Sequence, residues 1–172
     1  MQQCKHPILK YKCLISLNEL MYDSVPYLQQ ALLDSVDILQ EYFVPEENLD
    51  KFINALKKQV KQHSINLLNI SIRIVHKEDI FLNYAPTPRV AVVLYFNRKR
   101  NDSDEKRITT FTQGLINDAL KLKGTFFLPY QLYYTKNQLK RSYPMVDKFF
   151  ALKKKYDPNL LLMNEFYSKY AR

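Results

Sequence analysis

The sequence predicts an α+β domain: an antiparallel sheet with a split β-α-β-β-α-β (ferredoxin-like) core, helices on one face, plus C-terminal helices. Three observations carry this. "LLNISIRIV" (67–75) alternates apolar and polar residues, the period of a strand with one buried face. "RVAVVLYFN" (89–97) is nearly all apolar, as a central strand covered on much of both faces must be. Two other stretches carry apolar side chains at helical spacing, and the order of these elements from 37 to 134 is that of a split βαβ unit.

In chain order, residues 1–36 are weakly patterned, although "VPYLQQALLDSV" predicts a short helix from about Pro26. "DILQEYFVP" (37–45) is β-prone and closed by a proline. "PEENLDKFINALKKQVKQH" has acidic residues in its first turn and lysines later, as the helix dipole prefers. Leu49, Phe52, Ile53, Leu56 and Val60 form its inner face. In the next strand the Leu68/Ile70/Ile72/Ile74 face should go to the helices, leaving Asn69, Ser71 and Arg73 on a free face. "HKEDIFLNYAPTP" reads as a connection with a short strand in "IFLNYA".

After the central strand, "RKRNDSDEKR" reads as a charged loop. A helix follows with Ile108, Phe111, Thr112, Leu115, Ile116, Ala119 and Leu122 on one stripe, ended by Gly124. "TFFLPYQLYY" is the next strand or pair of short strands, with Tyr133 and Tyr134 on opposite sides, one toward the core and one toward a cleft. "SYPMVDKFFALKKKY" is a helix with Pro144 in its first turn and Val146, Phe149 and Phe150 inward. "DPN" stops it and "LLLMNEFYSKYAR" closes the chain.

Composition narrows the function. The 172 residues are about one domain's worth, and at 47% hydrophobic they are globular material. A net charge of +9 would suit a polyanion, but the basic residues are spread along the chain and solvated helix faces give the same sum. Cys4 and Cys13 have no metal or redox spacing, so a reducing, cytoplasmic setting is the simplest reading. His6, His63 and His76 are scattered, and no metal site is expected. No apolar run approaches the ~18–20 residues of a membrane span, and the N-terminus resembles neither a secretion signal nor a transit peptide. Two glycines exclude a Gly-rich phosphate loop in this chain, so another segment would have to hold the phosphates of a nucleotide cofactor.

Few residues stand out for chemistry. Arg73, Ser71 and Asn69, at alternate strand positions ~6–7 Å apart, make a row of donors for a polar ligand, or a solvated sheet face. Lys136 follows two tyrosines at a strand end, where it could fix an oxyanion or be one surface lysine among many. Tyr95 and Asn97 either meet a ligand or cap the sheet edge. "KFFALKKKY" is most simply the wet face of a helix. No Ser/His/Asp set and no pair of catalytic carboxylates appears.

The ending "YYTKNQLKRSYPMVDKFFALKKKYDPNLLLMNEFYSKY" resembles the C-terminal end of FAD-linked oxidases of the vanillyl-alcohol oxidase type. The nearest branches are the decaprenylphosphoryl-β-D-ribose, alditol and aldonolactone oxidases. The motifs are Tyr133 and Lys136, Tyr143-Pro144 with Asp147, Lys154-Lys155-Tyr156-Asp157-Pro158, and Asn164, in order; "LQEYFVP" and "LLNISIRIV" add to them. The resemblance implies that residues 37–172 are the substrate (cap) domain and that 1–36 is a remnant of the interdomain connection. It implies FAD held mainly by an FAD-binding domain or chain outside this one, without which no oxidase activity is expected. It implies oxidation of a sugar- or polyol-type alcohol by hydride transfer to the flavin. By position, Lys136 would be catalytic, and Tyr133 and Asn164 would contact the cofactor. Arg73, Ser71, Tyr95, Asn97 and Glu41 would bind substrate. Ser71 stands where the alditol oxidases carry a glutamate, and Tyr95 and Asn97 where they carry a histidine and a threonine. The other reading is a basic ferredoxin-like module that binds RNA on its open sheet. Against it, residues 69, 71 and 73 are Asn, Ser and Arg, and no aromatic RNA-reading motif is present.

Overall fold

The computed structural model describes residues 34–171; the helix expected from Pro26 falls, up to residue 33, outside them, as do Cys4, Cys13 and His6. Strand β1 (Ser35–Val44) leads through a 3₁₀ turn (Glu46–Asn48) into helix α1 (Leu49–Gln62). Strands β2 (Asn66–Val75) and β3 (Arg89–Lys99) follow, then helix α2 (Asp102–Lys121) and the short β4 (Thr125–Phe126). The sheet order is β2-β3-β1-β4, every pair antiparallel. That is the split-βαβ order, with β3 inserted between the strands that flank α1.

One face of the sheet makes the core. Ile38, Tyr42 and Val44 of β1 and Val92, Leu94 and Phe96 of β3 pack against Phe52 and Leu56 of α1 and Phe111 and Leu115 of α2. Burying each such Phe or Leu contributes about 1.5–3 kcal/mol, enough to override weak local preferences. A polar relay crosses this core fully satisfied: the Tyr42 hydroxyl donates to Gln40, whose amide donates to Thr112 Oγ1 at 2.8 Å, which donates to the Ile108 carbonyl. Helices α3 (Lys136–Ser142), α4 (Val146–Tyr156) and α5 (Glu165–Tyr170) extend the core with Leu139, Tyr143, Val146, Phe150, Tyr167 and Tyr170. The Tyr134 and Tyr170 rings stack at 4.7 Å, and the Tyr170 hydroxyl donates to the Tyr134 carbonyl.

Several expectations need correction. The face of β2 that carries Ile70, Ile72 and Ile74 does lie on the helix side, opposite Leu94, Val92 and Val90. It is nonetheless exposed, Ile72 at 54% and Ile74 at 78%, because β2 is the sheet edge. "IFLNYA" is not a strand: the Asn83 side chain bonds the Glu78 carbonyl and the Ala85 amide, turning the chain before Pro86 and Pro88. Helix α2 begins inside the supposed charged loop, because Asn101 caps it through the Asp104 amide and three acidic residues fill its first turn. Only Thr125–Phe126 of "TFFLPYQLYY" pairs as strand. Helix α3, set by a Thr135/Gln138 capping box, is separate from α4, since Tyr143 before Pro144 is extended and breaks the run. At α4, Val146 and Phe150 are buried and Phe149 half-buried.

Helix α2 ends in a Schellman motif: the Lys123 and Gly124 amides bond the Leu120 and Ala119 carbonyls. The left-handed residue is Lys123, φ 59°, rather than the glycine. Gly124 is required for close approach instead, since a Cβ there would stand 2.6 Å from the Phe43 carbonyl oxygen.

Candidate functional site

The second face of the sheet carries the odd-numbered residues of β1 and β3. Strand register sets rows across it: Asp37–Asn97–Asn66, Leu39–Tyr95–Asn69, Glu41–Val93–Ser71 and Phe43–Ala91–Arg73. This face is half covered rather than wholly free. Phe43 stacks on Tyr84 at 4.4 Å, and Phe127 meets Tyr84 and Tyr130 edge-on at 5.3 and 5.4 Å. The connection after β2 and the segment after β4 thus wall one end, leaving Leu39, Tyr95 and Ser71 at the open end.

At the wall's base lies an ion pair. Arg73 donates from Nε (3.0 Å) and Nη2 (2.5 Å), both to Glu41 Oε1. The Glu41 side chain is only 1% exposed, whereas that of Arg73 is 62% exposed. Hydrogen bonding to Glu41 raises the Arg73 pKa above its ordinary value, with burial opposing. A buried carboxylate is thus paired with a guanidinium that itself remains open to solvent. Two tyrosines flank the pair. The Glu78 carboxylate beside its hydroxyl, then burial, push Tyr84 up to about 12. Burial first, then the Glu41 charge, raises Tyr130. Both stay protonated donors at neutral pH. At the far end, the Tyr95 hydroxyl donates to Asp37 Oδ2 at 2.6 Å, a bond that pushes it up to about 12, and Asn97 accepts from Asn66 at 2.8 Å.

Five sequence-predicted residues, Glu41, Ser71, Arg73, Tyr95 and Asn97, thus share this face. Lys136 is the exposed first residue of α3, whose Gln138 bonds Gln113 and Asn117 of α2. Of the two tyrosines, Tyr134 is buried and Tyr133 half-buried, as expected of a core-facing and a cleft-facing pair. Tyr133 and Asn164 line one open cleft of ≈ 1310 Å³ beside α2 and α5, with Tyr130 joining that cleft to the ion pair's end. Asn164 also caps α5 through the Tyr167 amide at 2.9 Å. Tyr84, Tyr130 and Asp37 are site residues that sequence reasoning missed. They lie in irregular or edge positions with no periodic signal; only the Asn-Tyr-Ala-Pro turn hinted at a fixed Tyr84.

Among the described residues the two glycines, Gly114 and Gly124, are both occupied by packing, against the Gln59 amide and the Phe43 carbonyl, so neither forms a phosphate cradle. An open sheet face of Leu39, Val93, Tyr95 and Ser71 is compatible with a planar ring laid over it. Among the described residues no cluster of three metal-ligating side chains occurs, and no helix is long and apolar enough to cross a membrane.

Fold and site together define an α+β domain of the FAD-linked oxidase type, with one polar sheet face outside its core. The family model described as D-arabinono-1,4-lactone oxidase matches residues 35–170, and the chain belongs to that family. A search of curated proteins finds no match.

Proposed function

We propose that this domain is the substrate-facing half of a flavin-dependent oxidoreductase acting on a sugar- or polyol-type alcohol. The observation that carries the reading is the buried Glu41 carboxylate locked to a solvent-open Arg73 on the half-covered sheet face. Glu41 fixes the guanidinium plane, and the N–H groups of Arg73 not used by Glu41 point a planar donor set outward for substrate oxygens. Tyr84 and Tyr130 add protonated hydroxyls beside it, and Ser71, Tyr95 and Asn97 extend the polar row. Bound flavin would supply the acceptor for a hydride from the carbinol carbon. Its phosphates would be held by a polypeptide segment outside the described residues. Tyr133 and Asn164 line the cleft where cofactor contact is proposed. Lys136, if the assembled enzyme brings it to the reacting oxygen, would stabilise developing negative charge there.

The experiment is to combine the chain with an FAD-binding domain of this oxidase class and follow flavin absorbance and alcohol-dependent bleaching. R73A and K136A should each lower kcat/KM by about 10²–10³, the range for losing one charge-stabilising donor, with flavin still bound. Failure to bind flavin in any combination, or full activity in both variants, would overturn the reading.

A further inference from the structure

Arg89 opens β3 and is only 8% exposed, yet among the described residues no carboxylate pairs with it. One guanidinium nitrogen, Nη1, donates to the Lys123 carbonyl at 2.8 Å, while Nε has no hydrogen-bond partner. Burial lowers its pKa and Glu47 opposes only in part. A buried guanidinium without a counter-ion is costly and needs a reason.

The reason lies in the cavity it lines, ≈ 430 Å³ in volume, at the end of the sheet away from Tyr95. Lys123 and Arg141 line the same cavity, and no Asp or Glu does. Ser142 lines it too, 5% exposed, with an Oγ that has no partner. Apolar side chains line it as well, among them Phe81 and Met145, each 40% exposed. Helix C-termini favour nearby cations, which accounts for Lys123 and Arg141. Arg89 meets that helix end too, through the Lys123 carbonyl, but this leaves its Nε without a partner and does not account for the orphaned Ser142 hydroxyl.

We infer that this cavity binds a small organic anion, a phosphate monoester or carboxylate carried on a compact apolar group. Arg89, Arg141 and Lys123 supply the charge, Ser142 supplies a donor that fixes orientation, and Phe81 and Met145 cover the apolar part. The site involves none of the residues on the Glu41–Arg73 face and does not depend on the oxidase reading.

The test titrates the full 172-residue chain with phenyl phosphate, benzoate and inorganic phosphate, followed by calorimetry and amide chemical shifts. Saturable binding of phenyl phosphate or benzoate is expected, weakened about tenfold or more by R141Q and by S142A. Whichever probe binds more tightly identifies the anion. Inorganic phosphate should bind more weakly, having no group to meet Phe81 and Met145. R89Q should abolish binding; if that variant does not fold, R141Q and S142A decide alone. The inference fails if neither organic anion binds saturably, if S142A and R141Q bind as the parent does, or if inorganic phosphate binds as tightly as both organic probes.

Discussion

Arg73 reaches from the edge strand across β3 to Glu41 on β1, and both of its hydrogen bonds land on a single carboxylate oxygen. The strand between them carries Ala91 in Arg73's row, fully buried and small enough for the guanidinium stem to lie over it. The edge strand's only charged side chain is thereby turned inward, over the sheet.

R73A leaves the Glu41 carboxylate buried without its partner. The pair is solvent-open on the arginine side, so the loss is set by desolvation of one charged group, about 2 kcal/mol. The urea midpoint should fall accordingly, and E41Q/R73A should recover part of the loss. Equal stability of R73A and the parent would show that the pair contributes nothing.

The two glycines should respond oppositely. G124A drives a methyl toward the Phe43 carbonyl at 2.6 Å and the Ala119 carbonyl at 2.9 Å, both backbone, and should cost about 1–3 kcal/mol. G114A meets only the Gln59 amide end, which can swing aside, and should be neutral or gain up to about 1 kcal/mol of helix propensity. Thermal unfolding of the two variants separates these outcomes.

Lys123 adopts φ 59°, where a side chain is strained. K123G should stabilise by about 1 kcal/mol, because glycine takes this conformation without the Cβ penalty. Chemical denaturation that finds K123G less stable would contradict the Schellman geometry at the end of α2.

Asp157 accepts from the Leu161 and Leu162 amides and pairs with Lys153, and those contacts, the lysine first, hold its pKa at about 2. A carboxyl depressed in the folded state contributes stability above its ordinary value near 3.8, lost as pH falls toward 2. D157A should speed hydrogen exchange at the Leu161 and Leu162 amides at neutral pH. In the parent the same acceleration should appear only as pH drops through that window.

At the alkaline end, Tyr95 and Tyr84 are raised from about 10 to about 12. Groups raised in the folded state contribute stability in full below the unfolded value near 10, and that stability is lost as pH climbs toward 12. Ultraviolet titration should show Tyr84 and Tyr95 among the late phenols, and D37N should bring Tyr95 back toward 10.

Much of the fold was legible because its elements repeat. The apolar stripe of α2, from Ile108 to Ala119, and the unbroken apolar run of β3 announce period and burial directly. Less legible were the places where a single polar contact decides: Asn101 starting α2 early, Thr135 and Gln138 making α3, Asn83 turning a supposed strand into a loop. These are side chain–backbone bonds between near neighbours, and they leave no periodicity behind.

From sequence alone came the split-βαβ order, the face on which Asn69, Ser71 and Arg73 stand, and the family resemblance of the C-terminal run. Those follow from strand alternation and from motifs in linear order, which need no knowledge of who neighbours whom. Tertiary structure alone decided that Glu41 and Arg73, 32 residues apart, are partners. It also decided that Ile72 and Ile74 sit on an uncovered edge, and that Arg89 shares a cavity with Arg141 and Ser142. Alternation tells which side of a sheet a residue faces; only strand order and the reach of the layers above it tell what it meets there.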